Sequence, residues 1–224
     1  VLLLSPRPEV NEKGNAVSYF NHRSSALPMV QTMEKLGHSV VQLHLLQPPT
    51  FGAMKDALQI AKEAGEPYHI VHFDGHGSFD NQTGEGALCF EYPGDAHKVA
   101  KRRMQLVYAY ELAAELRGYD IPLVYLDACH SAQSIADPQA SVAASLLEQG
   151  VGSVIAMSHS VLVSTAQRFV EAFYRGLAQG KRISAAMLIA QKALYDDDYR
   201  DKVMGAGELC LKDWFVPVLF QDRN

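Results

Sequence analysis

Residues Leu123-Val124-Tyr125-Leu126-Asp127, continuing into Ala128-Cys129-His130-Ser131, form an apolar run that turns polar at its carboxyl end. A run without strict alternation suits a strand buried on both faces, and a strand ending in reactive side chains places them at a sheet edge. Working outward, residues 1–4, 39–46, 68–74, 152–157 and 215–220 are similar apolar, β-branched or aromatic runs. Helical spacing lies between them. Leu27, Val30, Met33 and Leu36 precede Gly37, and Phe51, Met54, Leu58 and Ala61 precede Gly65. Asp137-Pro138 reads as an N-cap and first-turn pair for a helix to Gly150, Ser164 reads as the cap of a helix carrying Val170, Phe173 and Leu177, and residues 184–195 read as one more. Alternating strands and helices predict an α/β fold, a three-layer α/β/α sandwich around a mostly parallel six-stranded sheet. Residues 78–106 break this rhythm. Gly84, Gly86 and Pro93 punctuate a short apolar piece that reads as a small hairpin, followed by a polar loop.

Of the 224 residues 48% are apolar, and 20 basic groups face 25 acidic ones for a net charge of -5. This excludes a disordered chain and argues against direct nucleic-acid binding through phosphate neutralisation. Three widely spaced cysteines, Cys89, Cys129 and Cys210, make no disulfide framework and fit a reducing, cytoplasmic setting. No uncharged stretch is apolar enough to span a membrane. The run Val1-Leu2-Leu3-Leu4, with no initiating Met before it, reads as the first strand of one domain over 1–224, cut from a longer protein.

Two segments could carry chemistry. His72-Phe73-Asp74-Gly75-His76-Gly77 ends the third apolar run, and Asp127-Ala128-Cys129-His130-Ser131 ends the fourth. Parallel neighbouring strands would bring His76 and Cys129 to one edge, where a thiol can attack a carbonyl and an imidazole can protonate the leaving amine. Gly77 permits close backbone approach, and its amide could join that of Cys129 as an oxyanion hole. Asp74 and Asp127 each lie two residues earlier, so strand alternation points them to the same side as His76 and Cys129. Two carboxylates beside a thiolate call for a cation between them, and a substrate Lys or Arg is the economical choice.

Other patterns read more plainly. His72 reads as a core histidine bonded to backbone, because spacing to His76 suits a metal only on a helix. Residues 176–182 lack the Ser or Thr of a phosphate loop, and Asp196, Asp197, Asp198 and Asp201 lack calcium-loop spacing. Cys89 and Cys210 read as buried packing. Lys98, Lys101, Arg102 and Arg103 read as a solvated loop, with self-processing as the sharper alternative.

The His72–Gly77 and Asp127–Ser131 segments, together with Ala156-Met157-Ser158-His159-Ser160-Val161 and Asp213-Trp214-Phe215-Val216-Pro217-Val218, resemble the CHAT-domain peptidases. These are caspase-like proteins often joined to TPR repeats. The resemblance covers nearly the whole chain. It implies a caspase-type fold, a His76/Cys129 dyad, an oxyanion hole from the Gly77 and Cys129 amides, and Ser158 and His159 along the substrate cleft. An acid two residues before the cysteine is similar to the metacaspase and separase branch, which cleaves after Arg or Lys. The resemblance further implies a protein or peptide substrate, a regulatory sensor or TPR partner and a role in bacterial defence or cell death; from the residue spacings above, no cofactor or metal is expected. The alternative is a scaffold domain that keeps the fold and binds a partner without turnover.

Overall fold

The computed structural model describes residues 1–17, 26–37, 40–80, 84–129, 138–159, 162–203 and 207–221. Four of the apolar runs pair in parallel: β1 (Leu2–Leu4), β3 (Ile70–Asp80), β6 (Leu123–Cys129) and β7 (Ser153–Met157). The expected strand at 39–46 shrinks to β2 (His44–Leu45), parallel to β1, and β10 (Pro217–Gln221) closes the other side antiparallel to β7. These six strands run in the order β10-β7-β6-β3-β1-β2.

The sheet is nevertheless eight-stranded, not six-stranded. The excursion after residue 78 is not a separate hairpin beside a polar loop. β3 runs on to Asp80, and β4 (Glu85–Glu91) folds back along it, antiparallel, with His76 opposite Cys89. β5 (Met104–Tyr108) then pairs with β4. The polar stretch between them holds a one-turn helix, Pro93–Asp95, and is ion-paired. Asp95 is buried and accepts from Arg103 Nε and Nη2 at 2.8 and 3.0 Å, from the Arg103 amide at 3.0 Å and from Lys98 at 2.5 Å. Those bonds hold its carboxyl well below the usual range. Arg102 reaches Glu91 at 3.1 Å. Two of the four basic residues of this loop are thereby tied to buried acids through their guanidinium groups.

Strand alternation sorts the interior into two layers. Leu2, Leu4, Val71, Phe73, Val124, Leu126, Val154 and Ala156 face α2 (Phe51–Glu63), α3 (Ala109–Leu116) and α4 (Pro138–Glu148). Leu3, Ile70, Leu123, Tyr125, Ile155 and Met157 face α1 (Ala26–Leu36), α5 (Val163–Ala178) and α6 (Ile183–Asp196). Each fully buried Phe or Leu contributes roughly 1.5–3 kcal/mol, so the two layers rather than any single contact hold the sheet. Local chemistry sets the helix ends. The Thr50 hydroxyl accepts from the Ala53 amide to cap α2, Pro138 starts α4, and α5 is entered from Leu162 rather than capped by Ser164. Asp137 lies outside the described residues. Gly176 lets α5 and α6 close on each other, since a Cβ there would sit 3.1 Å from that of Ala186.

A second sheet, β8 (Tyr199–Val203) with β9 (Gly207–Cys210), hangs beside this body. Arg200 pins it. Its fully buried guanidinium bonds Asp213 at 2.6 and 2.9 Å and the carbonyls of Leu194, Asp197 and Tyr199. The Thr165 hydroxyl donates to the same Asp213 carboxylate. Of the acidic run nearby, Asp196 accepts from Lys192 and Asp197 from Arg168. No helix among the described residues is long and apolar enough to cross a membrane.

Candidate active site

The β3–β6 register runs from Ile70↔Leu123 to Asp74↔Asp127 and His76↔Cys129. Directly opposed residues in adjacent strands stand about 4.8 Å apart. Two in-register rows therefore meet at the carboxyl end of the sheet, a carboxylate row and, two residues on, a His–Cys row. The pairing with β6 ends at Cys129, whereas Gly77 continues in β3, opposite Leu88 of β4. Its amide lies beyond the last β6 residue, at the same edge as that of Cys129.

The environments of these groups differ. His76 and Asp74 are buried, and Asp127 is 8% exposed. Burial pushes the Asp127 carboxyl up to about 7; Asp74 adds to the rise and Arg7 opposes it. No hydrogen bond to the Asp127 carboxylate is found among the described residues. Asp74 is placed otherwise. Arg7 donates to its Oδ2 at 2.5 Å and to its carbonyl at 2.6 Å, and the Ser5 hydroxyl donates to Oδ2 at 2.9 Å. The cation beside the acid pair is thus a residue of the chain itself, at least on the Asp74 side. Gly75 makes room for it: a Cβ there would lie 2.9 Å from the Phe73 ring and 3.3 Å from Pro6, which leads into Arg7.

Sequence reasoning overlooks Arg7, although a signal exists. Ser5-Pro6-Arg7-Pro8 follows the carboxyl end of the first strand, the same sheet edge that carries His76 and Cys129.

His72 lies in the core as expected, but its Nδ1 pairs with the Tyr174 hydroxyl at 2.9 Å and not with backbone. It stacks on Tyr125 with centroids 4.2 Å apart, and burial lowers its pKa to about 3. Ser158 and His159 follow β7 at the same edge. The Ser158 amide and hydroxyl both donate to the Val216 carbonyl, at 2.9 and 3.0 Å, and His159 is exposed. His130 to Ser134, Ser160 and Val161 lie outside the described residues. Cys89 is buried with its thiol pushed up to about 12. Cys210 is not buried packing: it ends β9 and is exposed.

A family model described as the CHAT domain matches residues 2–219. The chain belongs to the CHAT-domain family. The caspase-like peptidase fold expected of a CHAT domain agrees with the mostly parallel sheet and its two helical layers. The crystal structure of protein GSU0716 from Geobacter sulfurreducens is similar in fold, with a TM-score of 0.50 and 14% identity over 98% of this CHAT domain and 92% of that chain. No curated protein matches this chain.

Proposed function

We propose that this CHAT domain is a cysteine endopeptidase that cleaves after Arg or Lys, with Cys129 as nucleophile and His76 as its acid–base partner. The observation that supports this most is the double register, His76↔Cys129 with Asp74↔Asp127 two residues earlier, at the carboxyl edge of the sheet. In this reading the Cys129 sulfur attacks the scissile carbonyl carbon and the oxyanion is received by the Gly77 and Cys129 amides. Imidazolium His76 passes its proton to the departing amine as the C–N bond breaks, leaving a thioester. His76 then takes a proton from water, whose oxygen displaces the Cys129 sulfur.

Asp127 selects the substrate. Near neutral pH its raised pKa keeps part of it protonated, and an arriving guanidinium or ammonium favours the ionised form. A neutral side chain would leave a buried carboxylate without that partner, which disfavours it strongly. Ser158 and His159, at the same edge, are assigned to the flank of the cleft. As a regulated effector in a cytoplasmic bacterial defence or cell-death system, the domain would answer to a sensor or TPR module in cis or in trans.

The test is hydrolysis of fluorogenic peptides ending in Arg, Lys, Asp or Ala, by wild type and Cys129→Ala. Turnover of the Arg and Lys peptides alone, lost in Cys129→Ala, is the expected result. Turnover of the Asp peptide overturns the pocket, and activity surviving in Cys129→Ala overturns the nucleophile. Peptide binding without turnover in the presence of the partner module favours the scaffold reading.

A further inference from the structure

The in-register pair Asp74 and Asp127 places two carboxylates on adjacent strands, yet only one of them has a close guanidinium partner among the described residues. Arg7 is held from several directions. Its Nη1 donates to the Pro6 and Asp74 carbonyls at 2.8 and 2.6 Å, its Nη2 to Asp74 Oδ2 at 2.5 Å, and its backbone amide to Glu91 Oε1 at 2.9 Å. Glu91 is itself buried and paired with Arg102. The Arg7 side chain is 10% exposed against 2% for the Asp74 side chain, so this guanidinium is a built-in part of the site. Its field also reaches Asp127, lowering the pKa that burial and Asp74 raise.

We propose that Arg7 is a positioning residue that sets the charge of the substrate pocket: it cancels Asp74 and leaves Asp127 as the one carboxylate available to a single substrate cation. This rests on the basic-residue specificity proposed above and deepens it. With Arg7 and Asp74 compensated, the pocket carries one negative charge when Asp127 is ionised, the complement of one Arg or Lys. Without Arg7, the Asp74 charge and burial would both act on Asp127 unopposed, and the pocket would hold Asp127 protonated at neutral pH. Besides Asp74 and Arg7, Tyr125 of its own strand interacts with Asp127, Tyr174 of α5 interacts with that Tyr125 and bonds His72, and His76 lies two residues after Asp74 on β3.

The experiment compares the full chain as wild type, Arg7→Lys, Arg7→Met and Arg7→Met/Asp74→Asn. Carboxyl carbon NMR follows the Asp127 midpoint, assigned by its loss in Asp127→Asn. In parallel, kcat/KM is measured for peptides ending in Arg and in citrulline, its uncharged isostere, from about pH 6 to 9. Arg7→Met should raise the Asp127 midpoint by about one unit or more and lower the Arg-to-citrulline ratio at pH 7 about tenfold. Arg7→Lys and the double variant should stay close to wild type, a rescue that a packing role does not give. An unmoved midpoint in folded Arg7→Met overturns the role of Arg7 whatever the peptides show. A wild type that does not distinguish Arg from citrulline overturns the basic-specificity reading and, with it, the selective meaning of Arg7. Should Arg7→Met not fold, Asp74→Asn with and without Arg7→Met decides: an Asp127 midpoint lower when Arg7 is present supports the proposal, and equal midpoints overturn it.

Discussion

Replacing Asp127 by Asn should make the protein more resistant to unfolding in mildly alkaline buffer, relative to wild type, than in acid. The native carboxyl titrates near 7, against an unperturbed value of 3.8. Between those values the native state holds a proton that the unfolded chain has released. Wild-type stability therefore falls as pH rises through this window, at about 1.4 kcal/mol per unit, and levels off above it. Over about three units the loss is on the order of 4 kcal/mol. The amide introduced by Asp127→Asn does not titrate, so the difference between variant and wild type should grow by that amount between about pH 4 and pH 7. Any fixed penalty for the buried amide shifts the whole curve and leaves its slope intact. Urea unfolding of both proteins in a Cys129→Ala background, at several pH values, measures this directly. A difference that stays flat with pH, or that shrinks as pH rises, would refute the assignment of a raised Asp127 pKa.

Three further outcomes follow from the packing. His72 behaves in the opposite sense: with its pKa lowered to about 3, it stays neutral in the native state while the unfolded chain takes up a proton below 6.5. Stability is then lost in acid, and His72→Phe should flatten the unfolding curve between about pH 6 and pH 4. Arg200→Met removes a fully buried guanidinium and leaves the Asp213 carboxylate behind. The expected loss is about 3–5 kcal/mol, read by chemical unfolding, with part recovered in Arg200→Met/Asp213→Asn. Gly75→Ala drives a methyl into the Phe73 ring and Pro6. It should destabilise by about 1–3 kcal/mol and increase amide exchange at Ser5 and Arg7, whose anchor to β3 it displaces.

The parts of the fold legible in the sequence are those whose burial pattern is local. Continuous apolar runs announce β1, β3, β6, β7 and β10 because helices cover this part of the sheet on both faces. β5, Met-Gln-Leu-Val-Tyr, is only half covered, and β8 and β9 are largely exposed and carry charged residues, so neither apolar runs nor alternation marks them. What holds β8 in place is Arg200, whose partners 194, 197 and 213 lie on three other segments. The site follows the same division. Placing His76 beside Cys129 requires only that two consecutive reactive strand ends be parallel neighbours, and their register agrees. From sequence the cation of the acid pair points to the substrate, because Arg7 and Asp74 are separated by 67 residues and only the folded N-terminal segment brings them together. The core position of His72 is legible too, but its partner comes from α5, 102 residues away.

The separate fates of Cys89 and Cys210 give the protein a built-in record of sulfhydryl reactivity. Cys89 is sealed in the sheet with a thiol that hardly ionises below pH 12, so alkylating reagents should pass it by until the protein unfolds. Cys210 is open to solvent, but desolvation by its surroundings and the neighbouring Asp198 and Glu208 raise its pKa, which slows its reaction without preventing it. A Cys210→Ser protein would then offer native-state iodoacetamide one candidate sulfur, Cys129. The mass of a single adduct, and the pH dependence of its appearance, would report the ionisation of that one sulfur without need of any substrate.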